Sequence, residues 1–129
     1  GLGVGGAIVA ALLAGCMGRK HVIAIDRRYE WVDGQRKTIV DIPKHFRIEP
    51  SPDRVLLLTG EIYDAVSIRE AAKKVRARIR CDLKTASLYV WENSDFFPDV
   101  YAYSVAKRVK PPWRLKGSVR DSKIGRDPE

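Results

Sequence analysis

The sequence predicts an α+β chain: a small antiparallel sheet with one amphipathic helix, preceded by an apolar N-terminal segment. Three observations predict it. Asp33-Gly34 lies between two runs rich in β-branched and aromatic residues, and both turn positions tolerate positive φ, which marks a two-residue hairpin. Ile68, Ala71, Ala72, Val75 and Ile79 recur at i, i+3, i+4, i+7 and i+11, the spacing of one buried helix face. Gly1 to Gly18 carries no charge, while all 24 Lys and Arg residues of the 129-residue chain follow it.

The hairpin is expected over His21 to Ile42. Val22, Ile23 and Ile25 open it, Tyr29, Trp31 and Val32 continue it, and Thr38, Ile39, Val40 and Ile42 return before Pro43. A proline-punctuated connector, Ile48 to Asp53, leads to Val55-Leu56-Leu57-Leu58-Thr59, a continuous apolar run that reads as a central strand closed by Gly60 or continuing to Ile62. The helix is expected from Ile68 to Arg80, with Ser67-x-x-Glu70 as a capping box. Its outer face carries Arg69, Lys73, Lys74, Arg76, Arg78 and Arg80. Thr85 to Glu92 alternates as a strand, with Leu88 and Val90 opposing Tyr89 and Trp91. Val100 to Val109 reads as another, and Phe96-Phe97-Pro98 lies in the acidic loop between them. Pro111-Pro112 stops the last strand, and Trp113 anchors a basic tail. The domain division that follows is 1–18 as an apolar signal or anchor segment, 19–110 as the α+β domain, and 111–129 as the tail.

Four readings of Gly1 to Gly18 stand side by side. Leu13-Ala14-Gly15-Cys16, behind the apolar run Val4 to Leu13, resembles the lipobox of bacterial lipoprotein precursors. That resemblance implies cleavage before Cys16 and acylation of its thiol, with the domain at the bacterial outer membrane or in the periplasm. A retained membrane helix is the second: small residues fall four apart, and Arg19-Lys20 would place the domain on the cytoplasmic or matrix side. The third is a dinucleotide fingerprint, because Gly1, Gly3 and Gly6 are followed twenty residues on by Asp26. The fourth is an apolar helix packed within a larger assembly. Residues Asp95, Pro98, Tyr103 to Ala106 and Trp113 also look faintly like small lipoprotein-type domains, which implies location and fold only.

A net charge of +8 and a pI near 9.7 favour anionic partners. The two cysteines, Cys16 and Cys81, form no CxxC pair, and His21 and His45 have no Cys or carboxylate at ligand spacing, so neither a metal nor a cofactor is expected. Neither histidine belongs to a triad, an HExxH or a P-loop, and Asp26, Asp41, Glu49, Glu61, Asp64 and Glu92 are carboxylates without a catalytic pattern. The resulting expectation is a membrane-associated, non-catalytic accessory or structural subunit. Its N-terminus meets lipid, and Arg69, Lys73, Arg76, Phe96, Phe97, Trp113, Arg114 and Lys116 meet protein partners. The alternatives are a nucleic-acid-binding module that stacks bases on Tyr89, Trp91, Tyr101 and Tyr103, and a fragment of a dinucleotide-binding protein.

Overall fold

Val55 to Leu58 lies in the middle of β3 (Arg54–Ile62), where an uninterrupted apolar run fits a strand covered on both faces. The computed structural model describes residues 1–44, 46 and 51–113. β3 pairs in parallel with β4 (Asp82–Trp91), and β4 in parallel with β5 (Val100–Val105). Leu2 extends this sheet on the other side of β3 through single parallel bridges to Thr59 and Ile25. Its amide donates to the Leu58 carbonyl at 2.7 Å, and the Gly3 amide to the Ile25 carbonyl at 2.9 Å.

The first eighteen residues are therefore part of the fold. Helix α1 (Gly3–Cys16) starts where Leu2 leaves the sheet and lies against β3. Gly6 and Ala10 are its buried residues, and Ala10 packs with Leu58 and Ala86, flanked by Val9 and Leu13. The small side chains that suit helix contacts in lipid here bring a helix close to a strand. At 14 residues α1 is shorter than the ~17–25 a membrane span requires. No helix among the described residues is long and apolar enough to cross a membrane.

The hairpin forms a separate two-stranded antiparallel sheet, β1 (Asp26–Val32) and β2 (Gln35–Asp41), in register from Asp26↔Asp41 to Val32↔Gln35. Asp33 and Gly34 turn it with φ of 51° and 74°, as the Asp-Gly pair predicts. The small antiparallel sheet and the amphipathic helix are as expected. The later strands form a second, parallel sheet, because a helix of 13 residues lies between β3 and β4 and returns the chain to the starting edge.

That helix is α2 (Val66–Arg78), and its expected stripe is buried: Ile68, Ala71, Ala72, Val75 and the following Ile79. They form the main core with Leu2, Ile25, Val40, Ile42, Leu57, Ile62, Leu83 and Val90. The capping box does not form. The helix starts one residue before Ser67, so Ser67 is buried in its first turn, and the Asp64 carboxylate accepts the Val66 amide at 3.0 Å instead. Part of the cationic face of α2 is structural. Lys74 Nζ donates to the Val40 carbonyl at 2.5 Å and Arg78 to the Pro43 carbonyl at 3.3 Å, which fastens the hairpin to the helix.

Asp99 latches β5 to β4. Its Oδ2 accepts from the Thr85 amide at 2.8 Å and from Thr85 Oγ1 at 3.1 Å, and the Asp99 amide donates to Thr85 Oγ1 at 3.2 Å. The amide and hydroxyl bonds from Thr85 hold the Asp99 carboxyl below its ordinary value of 3.8. A lowered native pKa contributes stability that is complete well above pH 3.8 and is lost as pH falls through the native value. Thermal midpoints measured from pH 6 down to pH 2 are expected to fall less steeply for Asp99→Ala than for the wild type. Parallel curves would mean that the latch contributes nothing.

Candidate active site

The parallel strands all end on one side of the sheet, at Ile62, Trp91 and Val105, and α1 and α2 both begin there. In open α/β sheets ligands bind in this position, outside the carboxyl ends of the strands. A cavity of about 480 Å³ occupies it. It is floored by Leu2, Gly5, Gly6 and Thr59 to Ile62, and walled by side chains of the hairpin, the β3–α2 turn and the segment after β5.

The walls bring together three arginines that are far apart in sequence: Arg27 of β1, Arg36 of β2 and Arg108 beyond β5. Tyr29 lies between the first two, with Arg36 Cζ 4.6 Å and Arg27 Cζ 5.6 Å from its ring centroid. Arg36 also approaches the Asp64 carboxylate at 4.0 Å. Arg27 runs alongside the start of α1: a β-carbon placed on Gly3 would lie 3.8 Å from Arg27 Nε. That nitrogen is buried and has no hydrogen-bond partner among the described residues. Among the described residues no side chain caps the first turn of α1, and no acidic residue lies in that turn. A cation therefore faces the positive end of a helix dipole, an arrangement that an anion between them would relieve.

The opposite wall is aromatic. Tyr63 and Trp91 lie 6.5 Å apart at 60°, and Arg108 Cζ sits 5.0 Å from the Tyr63 ring. These residues hold the segment from Ala106 to Trp113 over the cavity. Trp91 Nε1 donates to the Ala106 carbonyl at 3.1 Å, and Tyr63 Oη accepts the Val109 amide at 2.8 Å. Burial pushes the Tyr63 phenol above its ordinary value. The Val109 amide opposes the shift and the Glu61 carboxylate adds to it, so Tyr63 is protonated at neutral pH. Trp113 closes the segment by packing on glycines. Its Cζ2 would lie 2.7 Å from a β-carbon on Gly60, and its Nε1 2.9 Å from one on Gly5. Tyr63→Phe removes the acceptor of the Val109 amide, which is expected to destabilise the segment by about 1 kcal/mol. Faster proteolysis between Ala106 and Trp113, with an otherwise unchanged melting profile, would register it.

Of the partner-contact residues expected from sequence, Trp113 lines this cavity, and Glu61, Asp64, Trp91 and Gly6, named there in other roles, line it too. Arg69 pairs with Asp95 at 3.6 Å and lies over the Phe96 ring at 5.5 Å, a cluster on the outer side of α2. Lys73 and Arg76 are exposed on that helix, Phe96 packs against the core, and Phe97 is exposed. Cys16 is exposed at the end of α1, and both it and Cys81 are free thiols. Arg114, Lys116, His45 and most of the basic tail lie outside the described residues. Among the described residues no cluster of three or more His, Cys, Asp or Glu is placed to hold a metal ion. Arg27, Tyr29, Arg36, Tyr63 and Arg108 line the cavity without a local sequence signal. The one usable signal was the apolar run Val55 to Leu58 followed by Gly60, Glu61, Asp64 and a helix, a strand–loop–helix unit with acidic residues in the loop.

No protein-family model matches the chain, and no curated protein matches it by sequence. Solved structures do match its fold. A purine phosphoribosyltransferase from Pyrococcus horikoshii Ot3 aligns with a TM-score of 0.78 at 22% identity, over 89% of this chain and 75% of its own. The xanthine-guanine-hypoxanthine phosphoribosyltransferase of Helicobacter pylori aligns at 0.68 and 14% identity, over 87% and 69%. A hypothetical protein from Neisseria gonorrhoeae with bound ppGpp aligns at 0.55 and 20% identity, over 81% and 65%.

These neighbours overturn the expectation of a non-catalytic, membrane-associated accessory subunit, and with it that of a chain that is not an enzyme. With it falls the expectation of lipid held through the N-terminus and of assembly partners held by the basic surface. Short stretches of sequence carry no catalytic signature because this crevice gathers its residues from the start of α1, the hairpin, the β3–α2 turn, the end of β4 and the segment after β5. The dinucleotide alternative falls too. Leu2 does place a strand residue ahead of a helix, but Gly6 is used to pack on β3, and Asp26 sits exposed in an ion cluster with Arg28 and Asp41. The chain shares the fold of the two phosphoribosyltransferases at a level of identity that establishes the architecture alone.

Proposed function

We propose that the crevice binds a ribose 5-phosphate compound carrying a leaving group such as diphosphate at C1, and that the chain transfers the phosphoribosyl group to a purine. The observation that carries this reading is Arg27, whose buried Nε has no hydrogen-bond partner among the described residues and lies beside the N-terminus of α1. An anionic oxygen between them satisfies the guanidinium and the dipole together. Arg36 adds a second cation on the same side. Glu61 and Asp64, the two carboxylates lining the cavity, are suited to accept hydrogen bonds from ribose hydroxyls. Tyr63 and Trp91 offer ring faces for a planar base, with Arg108 over Tyr63.

In such a transfer a ring nitrogen of the base supplies the electron pair of the new bond to C1. The C1–oxygen bond to the leaving group breaks with its electrons going to that group, and the proton carried by the imidazole ring of the base is lost to water. The arginines and the α1 N-terminus would stabilise the charge that develops there. The fold likeness to two named phosphoribosyltransferases supports this choice among anionic ligands.

The test is calorimetric titration with phosphoribosyl diphosphate and with GMP, followed by incubation with hypoxanthine, guanine, xanthine and adenine while diphosphate release is monitored. Saturable binding that weakens with salt, and release that depends on one of the bases, is the expected result. Binding without release would remove the transferase reading and leave a nucleotide-binding one. No binding of either compound at millimolar concentration would remove both.

A further inference from the structure

We propose that β5 is an interface between two copies of this chain, which pair edge to edge and antiparallel about a two-fold axis at Ala102. β5 is the last strand of the parallel sheet, yet five of its six residues are exposed and the sixth is half-buried. Strands of parallel sheets are ordinarily covered on both faces. Val100 is 61% exposed, Tyr101 44% and Tyr103 58%. An exposed edge strand is usually protected by a charge, a proline or a bulge. Val100-Tyr-Ala-Tyr-Ser-Val105 has no charge and no proline, and its register with β4 keeps one offset from Ala86↔Val100 to Trp91↔Val105.

The face is also organised. Tyr103 stacks on Tyr89 at 5.7 Å, and Tyr101 meets Phe97 edge-on at 5.8 Å. The occupant follows from symmetry and charge. An antiparallel pair centred on Ala102 puts a small residue on the axis. It sets Tyr101 opposite the partner's Tyr103 twice, on the same face of the joined sheet, and Val100 opposite the partner's Ser104. The flank before β5 carries the acidic Asp95, and the flank after it the basic Lys107 and Lys110. Antiparallel pairing brings each acidic flank to a basic one, whereas parallel pairing would set like against like. A second copy of this chain therefore matches the edge in shape, polarity and charge.

Sedimentation velocity on the full chain over a concentration series tests this. The expected result is a species of twice the 14.5 kDa chain mass. Tyr101→Glu with Tyr103→Glu sets like charges across the axis and is expected to give a monomer with an unchanged circular dichroism spectrum. Tyr101→Lys with Tyr103→Glu sets opposite charges across it and is expected to keep a dimer that weakens with salt. Lys107→Asp, outside the strand, is expected to weaken the dimer even if the double variants do not fold. A wild-type monomer at every concentration overturns the proposal, as does a dimer indifferent to all three changes. Deletion of residues 114–129 that converts a monomer into a dimer would assign the edge to the tail instead, which also overturns it.

Discussion

Gly6→Ala destabilises the chain by about 3 kcal/mol, at the upper end of what overpacking costs. The sign is the informative part, because glycine to alanine inside a helix normally stabilises by roughly 0.5–1 kcal/mol. At Gly6 the new β-carbon would lie 2.5 Å from the Leu58 carbonyl oxygen and 3.2 Å from Thr59 Cα. Both are backbone atoms of β3, and the carbonyl already accepts the Leu2 amide at 2.7 Å. It cannot turn aside without releasing Leu2 from the sheet. The alternative is for α1 to lift away, which opens the contact of Ala10 with Leu58 and Ala86. Gly15, on the same helix, has nothing within 4 Å of its β-carbon position. Gly15→Ala should therefore raise stability by the ordinary increment. Urea denaturation of the two variants measures the difference, and a midpoint loss on the order of 10 °C is expected in thermal melts of Gly6→Ala. If Gly6→Ala equals or exceeds the wild type in stability, the close approach of α1 to β3 is wrong.

The contrast between Gly6 and Gly15 also shows what a sequence can carry. Both are glycines in one apolar run, and nothing local separates them; only the strand that packs on α1 does. The hairpin was legible because Asp33-Gly34 specifies its turn within two residues, and α2 because its stripe repeats within the helix itself. The direction of β4 was not, since alternation along Thr85 to Trp91 says that a strand forms and not which way its neighbour runs. The capping box failed for a related reason: Ser67 has the right partner at Glu70, but Asp64 reaches the helix end first. The crevice was the least legible part. Arg27 and Arg36 are unremarkable hairpin residues until register places both beside Tyr29, and Arg108 shares their crevice only because β5 ends at the same edge as β3. In the sequence these cations were counted as net charge, and only the fold makes them a site.

Arg27→Met is expected to move stability and binding in opposite directions. The wild-type guanidinium has a buried nitrogen without a partner among the described residues, and it faces the N-terminus of α1. Each feature is unfavourable in the unliganded protein: a cation at a helix N-terminus costs about 0.3–1 kcal/mol, and an unsatisfied buried donor roughly 1–3. Methionine keeps an unbranched stem against Tyr29 and removes both, while losing the ring contact at 5.6 Å. The net expectation is a gain of about 1 kcal/mol in urea denaturation without ligand. Affinity for phosphoribosyl diphosphate should fall by roughly 10- to 100-fold, the range for losing one or two charge-assisted hydrogen bonds. Arg36→Met should lose affinity without the gain, because Arg36 is balanced by Asp64 and Tyr29 in the unliganded state. A residue kept only for packing would lower stability when replaced and leave affinity alone. If Arg27→Met shows that pattern, the crevice is not an anion site. If both variants bind as tightly as the wild type, the ligand sits elsewhere on the sheet.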